Sequence, residues 1–275
     1  MKLSVLMSVY EKDSPEHLRL ALRSIYEDQT RKPDEIVVVF DGPLPQALLD
    51  VLHEFSSVGR KKEIVRYLPQ EKNAGLGRAL QIGQEYCTGD YIFRMDADDI
   101  SAPTRFERQL AFLSSNPVDV LGTDTAEFRE SPEEEKRICR FPATHEEILR
   151  LARRRNPINH MSVCIRRQAL LQCGGYQPLP LLEDYYLWLR MMQAGCRFAN
   201  LNEPLVYVRV GNGFYQRRSA ARQVQGWRFL QDYMLSHGMI TRTRRRLNMI
   251  TVRVFVSIPP WLKRWVYAVF LRRKK

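Results

Sequence analysis

The stretch Asp90-Tyr-Ile-Phe-Arg-Met-Asp-Ala-Asp-Asp99 sets an apolar run, Tyr91 to Met95, directly before three carboxylates, Asp96, Asp98 and Asp99. The run predicts a buried strand, and the acids mark where the chain leaves it. Three acids held so closely repel one another and lose hydration only at a cost. A hard divalent cation, Mg²⁺ or Mn²⁺, removes that penalty and commonly bridges to diphosphate oxygens. The same acids would also suit a solvated turn ahead of the helix expected from Pro103. A short acidic motif therefore takes its meaning from its surroundings.

Those surroundings alternate. Leu3–Val9 predicts a strand, and Ser14-Pro15-Glu16 supplies an N-cap and a proline for a helix to about Glu27. Glu35–Phe40 is a strand rich in consecutive β-branched residues, the pattern of a strand covered on both faces. A helix from about Gln46 to Phe55, a strand at Glu63–Leu68, a helix at Gly75–Cys87, a helix at Pro103–Ser114 and a short strand at Val118–Gly122 complete the first half. Short connections between strands and helices predict a largely parallel sheet flanked by helices. Ligands of such sheets bind outside the carboxyl ends of the strands. Polar groups gather there: Ser8, Tyr10 and Glu11, then Asp41-Gly42, then Asn73-Ala-Gly-Leu-Gly-Arg78, then the aspartates. Asp41-Gly42-Pro43 and Asn73-Ala-Gly75 also read simply as turns.

The second half is mixed. Pro132 to Glu135 reads as an exposed acidic loop, His145–Arg155 as a helix, Met161–Arg166 as a strand and Gln168–Cys173 as a short helix. Asp184 is placed to cap a helix stopped by Gly195, and Leu205–Val210 reads as a short strand.

Charge is unevenly spread. The chain carries 43 Lys plus Arg against 31 Asp plus Glu, a formal net charge of +12 over 275 residues. Beyond Asp232 there is no acid, but eleven basic residues from Arg242 to Lys275. Removing those eleven leaves a body of 32 positive against 31 negative charges, so the basicity belongs to the tail. Five cysteines with no C-x-x-C pair argue against a zinc site or a disulfide framework and suit a reducing cytosol. Leu3–Val9 is too short for a signal-peptide core. No stretch reaches the ~20 apolar residues of a spanning helix.

Taken in order, several motifs resemble glycosyltransferase family 2. They are Ser8-Val-Tyr10, Gln29-Thr30, Pro33 to Val39, Asp41-Gly42, Asn73-x-Gly75-x-x-Arg78, Gly89-Asp90-Tyr91, Asp96-Ala-Asp-Asp99, Gly174-Gly175-Tyr176 and Glu183-Asp184-x-x-Leu-Trp-x-Arg190. Val9-Tyr-Glu11, Asp41-Gly-Pro43, Arg94 to Asp99 and Asn156-Pro-Ile-Asn-His160 resemble the bacterial capsule and exopolysaccharide branch with the amylovoran-type transferases. The resemblance covers roughly residues 1–215.

The resemblance implies an α/β GT-A fold: a Rossmann-like, mostly parallel sheet fused to a smaller acceptor-side region, with a basic helical tail. It divides the chain into a nucleotide-sugar-binding half at 1–122, an acceptor-binding half at 123–215 and the tail at 216–275. It implies inverting, metal-dependent transfer of a sugar, galactose by resemblance, from a UDP-sugar to a lipid-linked (polyprenyl diphosphate) saccharide in capsule, exopolysaccharide or O-antigen assembly. Ser8 and Tyr10 would line the base pocket, Asp41 would accept a hydrogen bond from the base or ribose, and Arg78 would lie near the base or phosphates. Asp96 would face the ribose, and Asp98 would ligate Mn²⁺ or Mg²⁺. Asp184 would deprotonate the acceptor with Glu183 beside it, and His160 and Trp188 would lie on the acceptor side. His160 also reads as a structural hydrogen bonder, and Asp184 as a mere helix cap.

The chemistry is consistent with those roles. Inversion by single displacement needs one base on the acceptor side and charge neutralisation on the leaving diphosphate. A sugar nucleotidyltransferase should carry a Gly-rich basic loop after the first strand, whereas Tyr10-Glu-Lys-Asp-Ser-Pro15 has no glycine. A non-catalytic sugar-binding module is the other alternative. In the tail, Val252–Ile258, Trp261, Leu262, Trp265, Val266, Tyr267, Val269 and Phe270 interleave with basic residues, and Pro259-Pro260 divides them. That pattern suits the headgroup boundary of a membrane, predicting a cytoplasmic protein peripheral on the inner face of the cell membrane. A helix packed on the catalytic body is the rival reading, and nucleic acid is not expected as a partner.

Overall fold

The computed structural model describes residues 1–57, 59–129, 131, 137–210 and 220–258, with backbone only for 220–223. The acidic loop expected at Pro132–Glu135 and the aromatic tail from Trp261 to Phe270 lie outside the described residues. In chain order the elements are β1 (Leu3–Val9), α1 (Pro15–Ile25), β2 (Glu35–Phe40), α2 (Gln46–Ser56), α3 (Lys61–Ile64), β3 (Val65–Pro69) and α4 (Leu76–Tyr86). Then come β4 (Tyr91–Met95), β5 (Ile100–Ser101), α5 (Arg105–Ser115), β6 (Val120–Phe128), β7 (Arg137–Cys139) and α6 (His145–Ala152). A 3-10 turn at His160–Ser162 leads to β8 (Cys164–Arg166), α7 (Arg167–Gln172), α8 (Glu183–Gln193), β9 (Phe198–Arg209), α9 (Ala220–Ser236) and α10 (Arg242–Ser257).

The strands form one sheet in the order β3-β2-β1-β4-β8-β6-β9-β5, with β7 on β6. The first four are parallel, as their crossover helices require. β8 runs antiparallel to both β4 and β6 and joins the two halves. Alternation along the early strands fills two cores. Leu3, Val5, Met7 and Val9 of β1 join Ile36 and Val38 of β2 against α1 and α2. Leu6, Val37 and Val39 face the other way, onto Leu80 of α4 and Leu187, Trp188 and Met191 of α8. Both faces are dry, which is why β2 carries unbroken Ile-Val-Val-Val. Ser14 caps α1 by accepting from the backbone N–H of His17, with Pro15 in the first turn as expected.

The sheet curls. β4 ends at Met95 and β5 begins at Ile100, yet β5 pairs with β9 at the opposite end of the strand order. Five Cα steps reach at most about 18 Å, short of the ~19 Å that four flat strand spacings would need. Asp96 to Asp99 are thus drawn across the sheet's end.

Three expectations are corrected. β6 runs to Phe128 instead of stopping at Gly122, because its polar residues are buried in pairs: the Asp124 carboxylate accepts from the Phe141 backbone N–H and from Asn200, and Asn159 donates to Thr125. Its partner β9 correspondingly starts at Phe198 rather than Leu205. Met161–Arg166 is a strand only from Cys164, the residues before it forming the 3-10 turn.

The described part of the tail is no loose appendage. Leu230, Met234 and Ile240 pack against Leu182, Tyr185 and Leu189 of α8 in a third core. On α10, Asn248 Nδ2 donates to the Arg153 carbonyl at 2.8 Å and to Gln231 Oε1 at 2.8 Å. All five cysteines are free.

Candidate active site

Register places four strand ends on one edge. Val9 pairs with Phe40, Phe40 with Pro69, and Met7 with Met95, so Tyr10, Asp41, the loop after Pro69 and Asp96 emerge together. Ser8 and Tyr10 are half-buried at the end of β1, and Asp13 folds back to accept from the Tyr10 backbone N–H at 2.9 Å. Asp41 is buried, and its carboxylate accepts from Ala74 N at 2.8 Å and Gly75 N at 3.0 Å. In this structure Asp41 organises the loop that leads into α4. Gly42 makes the closure possible: its φ is +92°, and a Cβ there would sit 2.7 Å from Asn73 N. Arg78 stands exposed in the first turn of α4, donating to Gln81 Oε1 at 2.6 Å.

Asp96, Asp98 and Asp99 each offer an oxygen within 4.8 Å of the others. Their environments differ sharply: Asp98 is exposed, Asp96 intermediate and Asp99 only 2% exposed. Asp99 Oδ1 accepts from the Arg209 backbone N–H at 2.9 Å, while its buried Oδ2 has no hydrogen-bond partner among the described residues. Burial, then the negative charges of Asp96 and Asp98, push its carboxyl well above the usual range. An orphaned buried oxygen in a converging triad of hard donors fits a divalent cation.

Two cations frame the triad. Arg209 Nε donates to the Asp98 carbonyl at 3.2 Å. Arg94, on β4, is fully enclosed and ion-paired with Asp96. Burial opposes its charge, but Asp96, Tyr176 and Asp99 outweigh it and hold its pKa above the ordinary guanidinium value. Beyond Arg94 lies Tyr176, whose hydroxyl is 2.9 Å from His160 Nε2. Burial raises the phenol, Arg94 opposes that, and Asp184 and Glu183 add to it. Tyr176 is therefore within electrostatic reach of the guanidinium behind the acidic triad and of the two acids that open α8.

Those two acids are not equivalent. Glu183 is buried at the start of α8, against α4: a Cβ on Gly77 would come 3.0 Å from the Glu183 Cβ. Asp184 is half-buried; Asn156 Nδ2 donates to Oδ2, and the Tyr185 backbone N–H donates to Oδ1 at 2.7 Å. Leu182, not Asp184, holds the N-cap position, so the reading of Asp184 as a cap is corrected.

His160 and Trp188, expected on the acceptor side, are both buried. Trp188 is 0% exposed and packs its ring edge-on against His160 and Phe198, so it offers an acceptor no surface. His160 is buried too, its pKa driven well below 6.5 by burial and by Arg94, so it serves as a neutral hydrogen bonder to Tyr176. Sequence reasoning gave Asp99 no role beyond its place in the acidic triad, and none to Arg94 or Arg209. Arg94 did carry a signal, since a charge inside Tyr-Ile-Phe-Arg-Met needs a buried partner. Arg209 carried none, because only the sheet's curl brings it to the aspartates.

Comparison with known proteins bears on the family and the fold. The family model "Glycosyl transferase family 2" matches residues 4–175. The chain is 40% identical to the amylovoran biosynthesis glycosyltransferase AmsE of Erwinia amylovora, over 83% of this chain and 82% of that one. It is 33% identical to the Escherichia coli UDP-Gal:alpha-D-GlcNAc-diphosphoundecaprenol beta-1,3-galactosyltransferase, over 99% of this chain and 97% of that one. In fold it is similar to the crystal structure of S. aureus TarS 1–349 in complex with UDP-GlcNAc, with a TM-score of 0.69 at 17% identity, covering 99% of this chain and 76% of that one.

Proposed function

Since this chain belongs to glycosyltransferase family 2, we propose that it moves one hexose, with inversion, from a UDP-sugar to a hydroxyl of a polyprenyl-diphosphate-linked saccharide in capsule, exopolysaccharide or O-antigen assembly. The observation that carries the reading is the triad of Asp96, Asp98 and Asp99, whose oxygens lie within 4.8 Å of one another at the shared edge of the strand ends, with Asp99 Oδ2 lacking a hydrogen-bond partner among the described residues. That set suits a cation on a diphosphate, and the half-buried Asp184 at the start of α8 offers a base for an acceptor. Two relatives support the substrates: AmsE is named for amylovoran biosynthesis, and the E. coli enzyme for UDP-Gal and a lipid-linked GlcNAc.

Asp98 and Asp99 would hold Mn²⁺ or Mg²⁺, with Asp96 kept beside them by Arg94 and turned to the ribose. When bound, the cation supplies charge neutralisation for the departing diphosphate. Tyr10 and Ser8 flank the base, and Arg78 reaches the donor from the first turn of α4. On the acceptor side Asp184 takes the hydroxyl proton while the acceptor oxygen bonds to the anomeric carbon. The bond from that carbon to the diphosphate breaks with its electron pair, and UDP leaves. Asp184 rather than Glu183 is the base, because Glu183 is packed against α4. Asn156 fixes the direction in which the Asp184 carboxylate points.

Such an acceptor lives in a bilayer, so the protein would work peripherally at the cytoplasmic face of the membrane. Among the described residues no helix is long and apolar enough to cross a membrane. The test is a panel of UDP-, GDP- and dTDP-sugars with Mn²⁺ or Mg²⁺ and polyprenyl-diphosphate GlcNAc, scored for nucleotide release and extended lipid. Acceptor-dependent release from a UDP-hexose is expected; release from GDP- or dTDP-sugars alone would overturn the donor assignment.

A further inference from the structure

α10 has one face turned away from the protein, and that face is chemically divided. Inward, Asn248 and Met249 are buried. Outward, Leu247, Ile250 and Val254 are 51%, 57% and 58% exposed, and the last two are the most exposed large hydrophobics among the described residues. At 3.6 residues per turn these three fall within about 60° of arc. Arg242, Arg246 and Arg253 fall within about 40° on the adjoining arc. An apolar row from Leu247 to Val254 thus runs alongside a row of arginines.

The arginine row borders a groove. Arg228 of α9 joins Arg245, Arg246, Met249, Ile250 and Arg253 of α10 around about 380 Å³. Arg245 is paired with Asp232 at 2.5 Å. Among the described residues, Arg228, Arg246 and Arg253 face no carboxylate within ion-pair distance, so three guanidinium groups converge without a counter-charge. Such a groove takes phosphate oxygens.

We propose that this face of α9 and α10 is the surface on which the protein seats on a bilayer rich in anionic phospholipid. Leu247, Ile250 and Val254 enter the acyl boundary, and Arg228, Arg246 and Arg253 hold headgroup phosphates. The apolar row with flanking guanidinium groups is the pattern of a helix lying in the interface plane. Other occupants are disfavoured by charge. Residues 259–275 add six Lys or Arg and no acid, and a second copy would oppose like with like. By composition the same residues also carry Trp261 and Trp265 beside those charges. This proposal rests on the lipid-linked acceptor reading and names the surface that serves it. α9 packs directly on α8, so the helix carrying Asp184 is braced by the helix pair that meets the bilayer.

The experiment is flotation of the full chain with phosphatidylglycerol–phosphatidylcholine vesicles against phosphatidylcholine alone. Partition to the anionic vesicles only, weakened by salt, is expected. R246Q/R253Q should lower it by about 25-fold, from roughly five-fold per charge, and R246K/R253K should restore most of it. L247S/I250S/V254S should lower it at least ten-fold while leaving the melting temperature and soluble UDP-sugar hydrolysis unchanged. Hydrolysis reads the cleft and flotation reads the face, so either can fail alone. Undiminished flotation of both the Gln and the Ser variants would overturn the proposal. So would flotation abolished by millimolar inorganic phosphate, or binding to polyglutamate without binding to vesicles.

Discussion

The guanidinium of Arg94, only 2% exposed, is ion-paired with the carboxylate of Asp96 two residues further along the chain. Arg94 is the last inward charge of a strand and Asp96 the first residue beyond it, so the pair ties the core to the acidic loop. Replacing Arg94 by Met should cost about 2–3 kcal/mol of stability. That lies at or below the lower end for a broken buried pair, because the Asp96 side chain is 31% exposed and partly solvated. Denaturant unfolding measures this; a loss under 0.5 kcal/mol would show that the pair does not anchor the loop.

Asp184→Asn should lower turnover by 10²–10⁴-fold, the typical weight of a general base, with the melting temperature held. Asn156→Ala should cost less, about ten-fold, since it orients the carboxylate without touching the proton. Equal losses from Glu183→Gln and Asp184→Asn in a UDP-release assay would contradict the assignment of the base.

Asp99→Asn should separate stability from metal binding. The wild-type carboxylate is buried with an orphaned oxygen beside two other acids. Its neutral replacement should stabilise the metal-free protein by about 0.5–2 kcal/mol while weakening Mn²⁺ binding by at least ten-fold, read by electron paramagnetic resonance titration. Asp98→Asn, at an exposed position, should weaken Mn²⁺ with no gain in stability.

His160 predicts a pH dependence. Burial and Arg94 depress its pKa, so the folded protein refuses a proton that the unfolded chain accepts. The stability this group contributes is fully present above the unfolded pKa of about 6.5 and declines as the pH falls below it, by at most about 1.4 kcal/mol per pH unit. Melting temperatures between pH 7.5 and 5 should fall more steeply for the wild type than for His160→Gln. Parallel curves would mean that the imidazole is already charged in the folded state.

The parallel half of the fold was legible because its signals are local. Apolar strands of five to seven residues, the Ser14-Pro15 start and the turn residues at Asp41-Gly42 each act within a few positions. β6 was cut short in sequence because Thr123, Asp124 and Thr125 look like a turn. Their partners include Ser162 for Thr123, Phe141 and Asn200 for Asp124, and Asn159 for Thr125, which no window along the chain connects to them. The acids of the candidate site were visible as residue types in order, but their inequality was not. Whether Asp99 or Asp98 is dry, and whether Glu183 or Asp184 can meet a hydroxyl, depends on which neighbour covers which oxygen. The burial of Trp188 is hidden for the same reason: a motif gives proximity to a site, not the side of the helix that faces it.

The link from β4 to β5 is only Asp96 to Asp99, and both strands are hydrogen-bonded into distant parts of the same sheet. A segment fastened at both ends has little freedom to swing, so its oxygens are aimed by the main chain rather than by a hinge. The incoming nucleotide must come to a stationary anvil, and any adjustment on turnover has to be made by the parts around it.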